Sequence, residues 1–226
     1  ILTQHTRKSV ALNHIAFDSR LLKQCVDYGF TSTQISVNIF LPSGKKIITE
    51  VFLMAHPIKH FITITKHRHR VMLHCFKAGI PFQGLTHDLS KYSPTEFIPG
   101  AKYYLGNRSP NEAERIEKGY SAAWLHHKGR NRHHYEYWMD YSTKTKRLEP
   151  IEMPTKYLKE MFCDRVAASK IYQGKNYTEA HPLEYFSRAK TRIIMHPKTA
   201  QKLERLLVML KEKGEKETFA YIRKMK

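Results

Sequence analysis

The sequence predicts a mainly α protein: a helical bundle from residue 55 to residue 226, with an N-terminal helix and a β-hairpin as an appendage over residues 1–54. Three observations lead there. Prolines at 57, 94, 110, 154 and 197 fall where a first helical turn accepts them, and most are followed by apolar residues at helical spacing. Glycines at 79, 174 and 214 then close or interrupt the runs. Strand-like alternation is confined to a short stretch before residue 55.

Taken in order, Lys8 to Tyr28 places Val10, Leu12, Ile15, Leu21, Leu22, Cys25 and Val26 in a helical pattern that stops at Gly29. Ile35, Val37, Ile39 and Leu41 then alternate with other residues, Pro42-Ser43-Gly44-Lys45 turns the chain, and Ile47 to Val51 returns as a second strand. A lone hairpin is marginal in water, so it needs something to pack on. From Pro57, a helix carrying Ile58, Phe61, Ile62, Ile64, Val71, Met72 and Phe76 runs to Gly79. Ser93-Pro94-Thr95-Glu96 reads as a helix start with Ser93 as cap and Glu96 completing a capping box, and Ser109-Pro110-Asn111-Glu112 repeats the device. The second of these is expected to open one helix continuing through Tyr120 and Trp124 towards His127. Pro154 starts a helix with Leu158, Met161, Phe162 and Val166 on one side. Pro197 starts an amphipathic pair, with Leu203, Leu206, Leu207 and Leu210 before Gly214 and Phe219 and Ile222 after it.

With 226 residues, 41% hydrophobic and 26% charged, the chain has room for one ordinary core and is not a disordered composition. No stretch approaches 18 consecutive apolar residues and the first residues lack the order of a secretory signal, so the expectation is a cytoplasmic protein without a membrane span. Cys25, Cys75 and Cys163 are odd in number and widely spaced, which argues against a disulfide framework or a thiolate zinc site and for small buried residues. The balance of 39 Lys+Arg against 20 Asp+Glu gives +19, a field that favours phosphate-bearing partners from nucleotides to nucleic acid.

Histidine is the second anomaly. Of 14 histidines, ten lie between His56 and His134, where uniform scatter would put about five. His60, His67 and His74 recur every seven residues on one helical face. Leu85-Thr86-His87-Asp88-Leu89-Ser90-Lys91 sets an imidazole beside a carboxylate just before a helix start, where neighbouring side chains can converge on one divalent cation. His126-His127 and His133-His134 follow, and Asp164 stands on the last ligand-bearing helix. The ordered series His, His-Asp, His, His, Asp is the signal; taken singly, His60, His69 and His74 are expected to be core or surface residues.

That series, over roughly residues 60–170, resembles the HD-domain superfamily of metal-dependent phosphohydrolases. Those helical bundles hold metal with a first-helix His, a His-Asp doublet and a late Asp. His67-x-x-x-Val71 is similar to the first-helix signature, and the 85–91 segment to Leu-His-Asp-Ile-Gly-Lys, with Ser90 in place of the glycine. A closer resemblance is to a bacterial and phage family without assigned activity, sometimes labelled catalase, in which the segments around His87-Asp88, His126 to His134 and Met161 to Ser169 recur. Nothing in the sequence marks a haem pocket.

The resemblance implies an HD-like bundle with His67, His87, Asp88, His127, His134 and Asp164 as ligands for one or two ions of Mn, Fe, Zn, Co or Ni. Within each histidine pair the register stays open. For the substrate, Lys91 is the nearest phosphate contact, with Arg108, Arg130 and Arg165 behind it; Glu96 is a cap, a general base or an acceptor for a ligand. The expected reaction is hydrolysis of a nucleotide or another small phosphate ester. The alternative is a basic nucleic-acid-binding protein whose metal is structural or absent, using Lys128, Arg130 and Arg132 on the phosphate backbone. Trp124, Tyr135, Tyr137 and Trp138 are expected to pack against helices and not to stack on a base.

Overall fold

The computed structural model describes residues 32–40 and 46–54 as backbone, and residues 56–106 and 108–226 with their side chains. The helix expected over residues 8–28 lies outside the described residues. The chain divides into two compact units, Ile1–Met54 and Ala55–Lys226. In the first, β1 (Ser32–Phe40) and β2 (Lys46–Met54) form an antiparallel hairpin with Ile35 opposite Val51, Val37 opposite Thr49 and Ile39 opposite Ile47.

The second unit is helical. Its elements are α1 (Pro57–Lys77), α2 (Pro81–Thr86), α3 (Pro94–Lys102), α4 (Pro110–Lys118), α5 (Ala122–Arg130), a short hairpin of β3 (Met139–Ser142) and β4 (Arg147–Pro150), then α6 (Thr155–Gln173), α7 (His181–Ala189) and α8 (Pro197–Lys224). Among the described residues the architecture is mainly α with a two-stranded antiparallel hairpin before it. No described helix is long and apolar enough to cross a membrane.

The core gathers Val71 and Cys75 of α1, Leu158, Phe162, Cys163 and Val166 of α6, Phe186 of α7, and Leu203, Leu207, Leu210, Phe219 and Ile222 of α8. Helix α6 is central: its apolar residues face the core while Glu160 and Asp164, one turn apart, share another strip of the same helix. Cys75 and Cys163 are free and fully buried, packing as small apolar side chains. Helix α8 is broken at Gly214, whose backbone (φ 76°, ψ 176°) is non-helical, which makes the amphipathic pair that Phe219 and Ile222 complete.

Two expectations at helix starts are corrected. The helix from Pro110 stops at Lys118, because Gly119 adopts the left-handed conformation (φ 80°) and Ser121 starts a new helix by accepting from Trp124 N at 3.0 Å. Buried Glu114 accepts from the Ser121 hydroxyl at 2.6 Å and fixes the corner that redirects α5. At the start of α3, neither Ser93 nor Glu96 caps the backbone. Ser93 makes no side-chain cap, both Glu96 oxygens are taken by histidines, and Ser109 at the start of α4 likewise makes no side-chain cap. Three elements were not expected: α2, α7 and the β3–β4 hairpin, whose short runs carry little periodicity.

Helix α2 leads into the His87-Asp88 doublet and lies against α1 through Gly84. A Cβ there would come 2.8 Å from Cys75 Cβ and 3.1 Å from the Met72 carbonyl oxygen, so only glycine allows this approach. Gly84→Ala should cost about 1–3 kcal/mol, with a fall in Tm of roughly 2–4 °C per kcal/mol in thermal melts. An unchanged melt would show that α2 can lift away freely.

Candidate metal centre

Four elements converge on one buried point. Helix α1 supplies His67, the turn after α2 supplies His87 and Asp88, the end of α5 and its following loop supply His127, His133 and His134, and α6 supplies Glu160 and Asp164. Arg68 on α1 ties the doublet down by donating to the Leu85 carbonyl at 2.5 Å and the His87 carbonyl at 3.2 Å. Asp88 has φ 53° and ψ 26°, a left-handed conformation rare for a residue other than glycine, and is 1% exposed. Such backbone strain is held only where surrounding contacts over-determine it, and here it aims both carboxylate oxygens inward.

Two four-residue sets share Asp88. In one, ligand atoms of His67, His87, Asp88 and Asp164 all lie within 4.8 Å of each other; in the other, so do those of Asp88, His127, His133 and His134. His67 Nε2 stands 2.9 Å from Asp164 Oδ1, His87 Nε2 3.3 Å from Asp88 Oδ2, and His127 Nε2 3.3 Å from Asp88 Oδ1. Nε2 of His87, His133 and His134 and Oδ1 of Asp88 are buried without a hydrogen bond, while His67 Nε2 faces Asp164 Oδ1 and Asp88 Oδ2 is paired with Lys91. Buried polar atoms are almost always partnered. Four converging exceptions from imidazole and carboxylate fit a divalent cation of the borderline transition series.

The rings are oriented from behind. His87 Nδ1 donates to Glu160 Oε1 at 2.9 Å, His133 Nδ1 stands 3.1 Å from the same oxygen, and His127 Nδ1 donates to Glu96 Oε2 at 2.7 Å. A proton on Nδ1, held by a carboxylate, leaves the Nε2 lone pair free to ligate. Glu96 also accepts from His126 Nδ1 at 2.6 Å, which assigns that histidine a partner outside the cluster. Asn131 donates to the His127 carbonyl and to Ser90 Oγ, both at 2.8 Å, closing the turn between the two histidine pairs.

Charge is balanced across the centre. Burial opposes ionisation of Asp88 and Asp164, but His87, Lys91 and His127 around the first, and His67, His87 and His133 around the second, hold both well below the usual carboxylate range. Burial also disfavours the Lys91 ammonium, and Asp88 and Asp164 more than restore it, raising its pKa. Lys91 Nζ lies 2.7 Å from Asp88 Oδ2. Burial with His133 and His127 alongside drives His134 far down, so that ring is neutral.

A cleft of about 870 Å³ opens onto the centre and is lined by His67, Lys91, His127, His134 and Asp164. Arg108 and Arg165 also line it; Arg165 Nε is buried without a hydrogen bond, and Arg108 Nη1 stands 3.5 Å from Glu112. Arg130 does not reach the cleft and lines a separate pocket, because α5 ends at that residue and presents it on another side. Of the recurring helix-α1 histidines, His60 lines the cleft, its pKa lowered to about 4 by burial and by Lys91. His74 faces the core, with Nδ1 3.3 Å from the Cys163 carbonyl, and His69 is exposed. Trp124 packs against His127 and His134, and Trp138 against Tyr157.

His133 and Glu160 were absent from the sequence-based set. The loop after Arg130 delivers both members of the second pair, so His133 joins His134 rather than replacing it. Glu160 was legible only as a carboxylate one turn before Asp164.

Residues 56–209 match a family of unknown function, DUF5662. No curated protein and no solved structure matches the chain.

Proposed function

The chain belongs to the DUF5662 family, and we propose that it is a metal-dependent phosphohydrolase acting on a nucleotide or other small phosphate ester. The observation that carries the reading is the pair of ligand sets sharing Asp88 at the floor of a cleft that also holds Lys91. The ordered series of ligands resembles the HD-domain superfamily, which supports the same chemistry.

His67, His87, Asp88 and Asp164 would hold one ion, and Asp88, His127, His133 and His134 a second. A divalent ion supplies, when bound, an activated water and a Lewis acid for a phosphoryl oxygen. The protein's own groups do the remainder. Lys91 stays protonated beside Asp88 and can neutralise a phosphate oxygen entering the cleft. Arg165 and Arg108 stand in the cleft wall to bind the rest of the anion. Glu96 is an acceptor that orients His127 and His126; with both oxygens engaged it is not free to take a proton from water. The rival reading, a basic nucleic-acid-binding protein, is favoured by the +19 charge alone.

The test is hydrolysis of p-nitrophenyl phosphate and a panel of nucleoside phosphates by the full chain after chelation and reconstitution with Mn, Fe, Zn, Co or Ni. Turnover that disappears with chelator and returns with one of the metals is expected. Absence of turnover with every metal, together with DNA or RNA binding that falls steeply with salt and ignores chelator, would favour the binding protein.

A further inference from the structure

We propose that a second pocket, separate from the cleft, binds a small phosphate-type oxyanion. It forms where the end of α5 and the loop after it meet α2 and the first turns of α6, and it shares no lining residue with the cleft. The inference is independent of the phosphohydrolase reading.

Three of its lining residues are the cations Arg130, Arg132 and Lys156. None has a carboxylate within 4.0 Å among the described residues. Two of them flank one ring: Arg132 Nη1 donates to the Tyr157 hydroxyl at 3.2 Å, and Lys156 Nζ stands 4.9 Å from the Tyr157 ring centre. The single carboxylate on the lining is Glu160, and its Oε1 is already engaged by Nδ1 of His87 and of His133 on the interior side. The lining thus sets three cations against one carboxylate that pairs with none of them, and its net charge is positive.

Converging like charges repel, and an anion seated among them relieves that repulsion while gaining charge-assisted hydrogen bonds. Guanidinium forks match the oxygens of a tetrahedral phosphate, and Lys156 adds a mobile point charge. The volume, about 270 Å³, falls below the ~300–1,000 Å³ usual for drug-sized ligands. It suits inorganic phosphate, pyrophosphate or the head of a phosphate monoester. Because Glu160 and His133 also line the pocket, an occupant sits one side chain away from the metal centre, in the place of an effector and not of a substrate.

The test is calorimetric titration of pyrophosphate into metal-free full chain, wild type beside the double variant Arg130→Gln, Lys156→Gln. Both side chains are exposed, so the variant should melt like the wild type. Losing two charge-assisted contacts is expected to weaken one binding event by about 10-fold or more. Equal titration curves, or no binding by the wild type, would overturn the proposal. So would short single-stranded DNA that binds through these two residues while pyrophosphate does not.

Discussion

Asp88→Asn should strip metal from both ligand sets at once, whereas His67→Ala should strip one. Asp88 is the residue the two sets share, each of its oxygens facing a different histidine group. An amide keeps the shape but loses the charge and one acceptor oxygen. Partners one step removed from a metal typically change affinity by ~10–100-fold, so loss of the shared ligand itself should exceed ~100-fold for both ions. In His67→Ala the set of Asp88, His127, His133 and His134 is intact, and half of the wild-type metal should remain. Metal content measured on the two variants checks this. Equal content in both would mean that Asp88 bridges nothing.

Glu160→Ala should weaken both sites although Glu160 need not touch either ion. One oxygen of this buried carboxylate faces Nδ1 of His87, which belongs to the first set, and Nδ1 of His133, which belongs to the second. Burial resists its ionisation, yet His133 and His87 together hold its pKa below the ordinary glutamate value. Removing it frees two rings to rotate and lets each choose the tautomer that puts a proton on Nε2. The expected loss is ~10–100-fold in affinity for both ions, read by competition with a chromophoric chelator. Glu96→Ala removes the partner of His126 and His127 and touches no ring of the first set, so it should weaken the second set alone. A Glu160 variant that binds metal like the wild type would show that packing, and not this carboxylate, sets the rings.

The contrast between these two glutamates explains what the sequence could and could not reveal. Helices opened by Pro57, Pro110, Pro154 and Pro197 were legible because proline, apolar spacing and glycine all act within one or two turns. The break at Gly119 was not: the left-handed Gly119 ends one helix, the Ser121 cap starts the next, and Glu114 fixes the corner through a contact no local pattern records. His87-Asp88 was legible because the two groups are neighbours in the chain. The choice within His133-His134 was not, because a loop after Arg130, not helical periodicity, delivers them both. Glu96 carried three compatible meanings, cap, general base and acceptor, and the three-dimensional approach of α5 selected the last. Arg130 looked equivalent to Arg108 and Arg165 in a linear reading, and the end of α5 separates it from them.

Metal in this centre is tested most directly by elemental analysis of the purified full chain beside a His87→Ala, Asp88→Ala double variant. The wild type is predicted to carry about one or two equivalents of a transition metal per chain, and the variant almost none. Absence of metal from both proteins, persisting after reconstitution with Mn, Fe, Zn, Co and Ni, would contradict it.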